Sequence, residues 1–239
     1  MEDWRELASA RDESAPGWRR HGRRVHLEML GRWAGPVTGR WLKTDLSEER
    51  SPDRALLTEI EGRWVGIDLA AGFGPRLGAG VFLAGDIRRL PFRSEVFDGA
   101  LSTSTLDHFH DPEDVRASLV ELRRVLRRGG LLLLTMDNRS NLAVRARNAM
   151  PRLAHVVTGQ VPFPVGATVA RRGGVSLLSE CGFEVTDVDH LLHAPFVLGT
   201  RPARWSWWER RVLPAFDLLG RSPLAPFTGH YVAFRAVAS

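Results

Sequence analysis

From residue 39 onward, short apolar runs alternate with stretches whose apolar residues recur every three or four positions. The runs at 40–46, 64–69, 80–84 and 96–102 predict four strands. The unbroken run 131–136 predicts a fifth, buried on both faces of a sheet. Residues 51–61 predict a helix with Ser51 as cap and Pro52 in its first turn. Residues 112–128 predict another, opened by Pro112 and ended by Gly129-Gly130. Strands that alternate with helices in this way build a mostly parallel sheet covered by helices.

The flanks are less regular. The first forty residues read as helical, with Pro16-Gly17 as a break, and Leu27, Leu30 and Trp33 at helical spacing are set to pack on the main domain. Residues 138–170 hold a short basic helix and a proline-rich loop. A helix then leads to about Glu180, followed by strands at 183–188 and 230–237. The expected architecture is α/β: a Rossmann-like, seven-stranded, mostly parallel sheet flanked by helices, with the last strand antiparallel. A helical segment, 1–38, precedes the main domain, 39–239, in which 138–170 and 195–228 are expected on the substrate side or as a lid.

Composition narrows the class. Hydrophobic residues at 44% suit a globular chain, and no apolar run approaches the ~20 residues of a membrane span. The charged first 24 residues lack the apolar stretch of a signal peptide, so the expected location is cytoplasmic. Cys181 is the only cysteine, which excludes an internal disulfide and a thiolate metal cluster. The net charge is +5, and Lys43 is the only lysine. Acidic residues are mixed among the arginines, which argues against a nucleic-acid partner. Trp205, Trp208, Val212, Phe216 and Leu219 fall at helical spacing, and this stripe reads first as packing, then as a substrate lid or a membrane or dimer surface. Pro214 should kink or end that helix.

Open parallel sheets bind ligands at the carboxyl ends of their strands, near the point where strand order reverses. Those ends carry Lys43-Thr44-Asp45-Leu46, Asp68-Leu69-Ala70, Gly85-Asp86-Ile87 and Asp137-Asn138. Aspartates also cap helices and turns, so each alone says little. Their repeated placement at successive strand ends says more.

Five further segments complete a pattern. Leu83-Ala84-Gly85-Asp86-Ile87-Arg88-Arg89-Leu90-Pro91-Phe92 is followed by Val96-Phe97-Asp98-Gly99-Ala100-Leu101-Ser102. Leu106-Asp107-His108-Phe109 and Asp111-Pro112-Glu113-Asp114 come next, then the series from Glu121 to Gly130. In order and spacing this resembles the class I S-adenosylmethionine-dependent methyltransferases, from about Gly39 to Thr135 and more weakly beyond. The resemblance implies S-adenosylmethionine as cofactor. Asp86 would accept from the adenine amino group, with the Ile87 backbone N–H at the ring, and Asp68 would hold the ribose hydroxyls. Leu106 would lie along the cofactor, and Thr44, Asp45, Leu69 and Ser102 would complete its site. Asp98 would support the fourth strand.

The chain departs from the family at the first loop, which is usually glycine-rich so that backbone can approach the methionyl group. Asp86 follows Asp68 too closely to fit a helix, a strand and two connections between them. Residues 41–49 are therefore the first strand and loop, without glycines. Two readings follow. In one, Asp45 or Glu48 faces the methionyl ammonium or sulfonium and Lys43 orients a carboxylate. In the other, the fold survives as a catalytically silent binding module.

The expected reaction is in-line methyl transfer to oxygen or nitrogen of a small-molecule acceptor, by alignment of nucleophile and methyl carbon. His108 is the general-base candidate, set against a capping role for its neighbours with Asp111 as the cap. Asp107 and Asn138 are candidate substrate contacts. The Asp137 loop is not the Asn-Pro-Pro-aromatic loop of DNA amino-methyltransferases. No metal is expected, and the sequence leaves a homodimer open.

Overall fold

The computed structural model describes residues 16–46, 49, 55–59, 61–69, 80–149, 166–195 and 205–239. Helix α1 (Pro16–Trp33) precedes β1 (Arg40–Thr44), β2 (Arg63–Asp68), β3 (Val81–Ala84) and β4 (Phe97–Thr103). Then come α2 (Pro112–Val125), β5 (Leu126–Asp137), α3 (Leu142–Ala149), α4 (Arg171–Glu180) and β6 (Phe183–Leu191). Helices α5 (Trp205–Arg211), α6 (Leu213–Leu219) and α7 (Ala225–Thr228) lead to β7 (Tyr231–Ala238).

The sheet runs β3-β2-β1-β4-β5-β7-β6. The first five strands are mutually parallel. Strand β7 is antiparallel to both neighbours and lies between β5 and β6 rather than at the edge. Strand order reverses between β1 and β4, so the crevice for a ligand opens over their carboxyl ends.

Successive residues serve opposite faces. Ala100, Leu132, Leu134, Val232 and Phe234 enter a core shared with Leu119 and Leu122 of α2 and Leu178 of α4. Trp41, Leu101, Leu133 and Ala233 enter a second core with Met29 and Leu30 of α1. Each large apolar side chain among these contributes roughly 1.5–3 kcal/mol when fully buried. Leu27 and Trp33 pack at the border of the second core, as their spacing predicts. Helix α4 comes close enough that a Cβ at Gly174 would lie 2.2 Å from Phe234 Cζ.

Two elements differ from the sequence reading. Helix α2 stops at Val125, and β5 begins at Leu126, ahead of Gly129-Gly130. The N–H groups of Glu95 and Val96 bond to the carbonyls of Arg124 and Val125, which draws the chain out of the helix into pairing with β4. Gly129, at φ +76°, lies in the irregular stretch where the β4–β5 register shifts. The expected helix at 51–61 is, in its described part, a single 3₁₀ turn at Leu57–Glu59, while Ser51 and Pro52 lie outside the described residues. The start of α2 matches: Asp111 Oδ1 accepts from the Glu113 N–H at 2.9 Å, and Pro112 occupies the first turn.

Candidate functional site

The tips of β1, β2 and β3 are tied to one another. Asp45 N–H donates to Ile67 O at 3.1 Å, Leu46 N–H to Asp68 Oδ2 at 2.8 Å, and Gly85 N–H to Asp68 O at 2.9 Å. Asp45, Asp68 and Asp86 therefore sit on three adjoining strand ends. Asp45 is in the left-handed region, at φ 58°, which costs a non-glycine residue on the order of 1 kcal/mol or more. The fold keeps a glycine-type turn here without the glycine.

Lys43 accounts for that turn. Its side chain is fully buried, and Nζ donates to Thr44 O at 2.7 Å, Asp45 O at 2.9 Å and Thr103 Oγ1 at 3.1 Å. An ammonium has three protons, and all three are used. Among the described residues no carboxylate pairs with it. Lys43 thus holds the loop from beneath rather than reaching a ligand carboxylate. Beside it, across the switch point, Thr44 Oγ1 donates to Ser102 Oγ at 2.9 Å and lies 3.0 Å from Thr105 Oγ1.

Asp86 is engaged by its own chain. Arg88 Nε lies 3.0 Å from both carboxylate oxygens, Nη2 is 2.6 Å from Oδ2, and the Arg88 N–H donates to Oδ1 at 2.9 Å. These bonds hold the Asp86 carboxyl below its usual range. Arg88 also reaches Asp114 Oδ1 at 2.9 Å. The pair is partly exposed, and such pairs contribute only about 0–1 kcal/mol, so a ligand donor can compete for an oxygen. Ile87 and Leu106 turn their side chains into the core, while Leu69 is exposed. Asp98 supports β4 as expected, accepting from Arg40 N–H at 2.7 Å and Arg127 Nη1 at 2.5 Å.

Across the switch point, β4 and β5 end in a second polar group. Ser104, at φ 48°, turns the chain into the 3₁₀ turn Leu106–His108. Its Oγ donates to Asp107 Oδ2 at 2.7 Å, and Asp107 is buried. Burial first, and then the charge of Asp137, push the Asp107 carboxyl well above the ordinary range. Asp137 is paired with Arg147 of α3 and lies 3.5 Å from His230 Nε2. Burial lowers His230 to about 4, so this ring is neutral near pH 7. The segment 166–169 stitches the two tips together, with Gly166 N–H on Asp107 O at 2.9 Å and Val169 N–H on Asp137 O at 3.1 Å. His108 follows Asp107 on the same turn, half-buried.

Asn138 is turned to the chain's own backbone. Its Nδ2 donates to Pro226 O and Gly229 O at 2.8 and 2.9 Å, and its Oδ1 accepts from Ser140 N–H. Arg147 and His230 escaped the sequence reading. Nothing in spacing joins α3 or the start of β7 to Asp137; the strand-end position of Asp137 and the candidate Asp107 pointed here. Helix α1 closes the group from outside: Trp18 stacks edge-on to His230 at 5.6 Å, and Arg24 pairs with Asp217 of α6 at 2.8 Å. Helices α5 and α6 break at Val212, next to Pro214, and Leu213 is the side chain buried there.

Residues 53–134, spanning β2 to β5, match the family described as methyltransferase domain. A SAM-dependent methyltransferase from Thermotoga maritima, titled a possible histamine N-methyltransferase, superposes with a TM-score of 0.61 at 18% identity, over 93% of this chain and 91% of that one. The chain has the fold of S-adenosylmethionine-dependent methyltransferases, and residues 53–134 carry the match to a methyltransferase domain. The Burkholderia thailandensis 1,6-didemethyltoxoflavin-N1-methyltransferase, solved with its acceptor and S-adenosylhomocysteine, gives a TM-score of 0.57 at 18% identity, over 99% and 85%. The [4+2]-cyclase SpnF gives 0.56 at 16%, over 89% and 80%. No curated protein matches the sequence.

The methyltransferase fold implies S-adenosylmethionine, and the residues at the strand tips fit it. Asp68 and Asp86 are partly accessible carboxylates on adjoining strands, and exposed Leu69 offers apolar surface beside them. A Cβ at Gly85 would lie 2.8 Å from Ile67 Cδ1, so the backbone between these carboxylates stays without a side chain. No helix among the described residues is long and apolar enough to cross a membrane.

Proposed function

We propose that this chain moves a methyl group from S-adenosylmethionine to an oxygen or nitrogen of a small-molecule acceptor. The observation that carries the reading is the tying of β1, β2 and β3 at their ends, with Asp68 and Asp86 side by side on the strand order of the family. Asp68 holds the ribose hydroxyls and Asp86, sharing an oxygen released by Arg88, accepts from the adenine amino group. Thr44, Asp45, Leu69, Ile87, Ser102 and Leu106 complete the surroundings of the cofactor, Ile87 through its backbone N–H. When bound, the cofactor supplies an electrophilic methyl carbon. The protein's part is alignment and control of the acceptor's proton.

The acceptor side draws on the described parts of 138–170 and 195–228, of which Gly166 and Ala167 bond to the backbone of the turn that carries Asp107 and His108. A small acceptor is favoured over nucleic acid because many arginines are already committed. Arg24, Arg32, Arg88, Arg116, Arg124, Arg127 and Arg147 all pair with carboxylates of this chain. The test is methyl transfer from radiolabelled S-adenosylmethionine to a broad panel of small acceptors, with methylated product identified by mass. Binding of S-adenosylhomocysteine without product from any acceptor would favour the silent binding module.

A further inference from the structure

The polar group at the ends of β4 and β5 contains one atom with no assigned partner. Asp107 is 4% exposed. Ser104 satisfies its Oδ2, while its buried Oδ1 has no hydrogen-bond partner among the described residues. The surrounding charges are otherwise spoken for: Asp137 by Arg147, with His230 Nε2 at 3.5 Å. Segment 166–169 bonds to the backbone of both Asp107 and Asp137, and the charges of Asp137 and Arg147 both bear on the Asp107 carboxyl. Arg147 and His230 keep 17% of their side chains exposed, against 8% for Asp137. It lies at the ends of β4 and β5, on the opposite side of the β1–β4 switch point from Asp68 and Asp86.

We propose that Asp107 receives the methyl acceptor, that the accepting group is a primary or secondary amine, and that Asp107 takes the proton this amine must lose. The inference rests on the methyl-transfer reading above and adds to it the class of acceptor. Four chemistries compare as follows. A carboxylate or phosphate acceptor would face two carboxyl groups, with Arg147 already engaged. A hydrocarbon would leave Oδ1 bare, which buried polar atoms rarely tolerate. An alcohol offers one hydrogen bond and no charge. An amine offers both, and its cation balances an ionised Asp107 beside Asp137.

The proton balance closes. The amine enters as an ammonium and pairs with Asp107, whose own proton leaves to solvent. Within the site one N–H bond breaks, its proton passes to Oδ1, and the nitrogen keeps the electron pair. Cation and anion become a neutral amine and a neutral acid. The environment that pushes the Asp107 carboxyl upward, chiefly burial and then Asp137, is suited to holding that proton. Ser104 and Arg147 oppose that push.

The experiment uses the full chain saturated with S-adenosylhomocysteine. Primary and secondary amines, each matched by the alcohol of the same skeleton, are titrated in two buffers of different ionisation enthalpy. Expected for the wild type is binding of at least one amine in preference to its alcohol, with release of a proton. Asp107→Asn should keep its affinity for S-adenosylhomocysteine within about twofold, lose the proton release, and bind the amine at least about tenfold more weakly, the equivalent of a lost charged pairing. In turnover with S-adenosylmethionine, the same variant should lose the limb of the pH–rate profile that reports the base. Alcohols bound as well as amines, no amine bound, or an Asp107→Asn variant with unchanged amine binding would each overturn the proposal. Failure to bind S-adenosylhomocysteine at all would instead defeat the methyl-transfer reading.

Discussion

Replacing Lys43 by methionine tests whether a buried ammonium does the work that the family resemblance assigns to glycines. Methionine is close to lysine in length, so the cavity term is small. The change removes three hydrogen bonds from a charged donor, to Thr44 O, Asp45 O and Thr103 Oγ1. Bonds to charged groups contribute about 1.5–3 kcal/mol each. Against this stands relief from burying a cation that has no counter-ion among the described residues, itself on the order of several kcal/mol. The hydroxyl of Thr103 can turn to another acceptor, but the carbonyls of Thr44 and Asp45 cannot, and a buried unsatisfied carbonyl costs about 1–3 kcal/mol. The balance is a loss of about 2–4 kcal/mol. Urea unfolding followed by tryptophan fluorescence would read it as a lower midpoint at unchanged slope. The loop should loosen as well, since the left-handed Asp45 loses the contact on its carbonyl, and S-adenosylhomocysteine affinity should fall at least about tenfold. A variant within about 0.5 kcal/mol of wild type, the range of a neutral surface change, and with unchanged affinity would refute this account of the loop.

Other outcomes follow from the same geometry. Asp68→Ala and Asp86→Ala should each weaken cofactor binding by about 1–3 kcal/mol, whereas Arg88→Ala should not weaken it, because the arginine competes with the ligand for Asp86; calorimetric titration of the three variants separates these cases. Stability should fall on acidification from pH 6.5 toward about 4, measured as the urea midpoint across that range. Burial lowers His21 and His230 to about 4, so over this window the unfolded chain binds protons that the folded chain refuses. Each contributes about 3 kcal/mol that is fully present above pH 6.5. Asp107, with its raised carboxyl, works in the opposite direction, so a midpoint that rises on acidification would mean the histidines are not held neutral.

Much of the fold was legible because the chemistry was local. The apolar run 131–136 reads as a strand buried on both faces, and Leu132, Leu133 and Leu134 do alternate between two cores. Asp111 and Pro112 mark the start of α2 through bonds within one turn. Where contacts are long-range, the pattern misled. Gly129-Gly130 looks like a helix end, yet β4 captures the chain earlier, at Leu126. Lys43 read as a ligand for a carboxylate, but its burial depends on Thr103, sixty positions away. The strand-end aspartates could be listed from the sequence, while the company each keeps could not. Arg88 covers Asp86, and Arg147 and His230 reach Asp137 from elements that only the sheet order brings together.

The central claim is that an adenosine is held jointly by carboxylates on adjoining strand tips. Calorimetric titration of S-adenosylhomocysteine into the full chain tests it most directly. The account predicts saturable binding of one ligand per chain, weakened by either Asp68→Ala or Asp86→Ala. No heat of binding at millimolar ligand, or saturable binding indifferent to both substitutions, would contradict it.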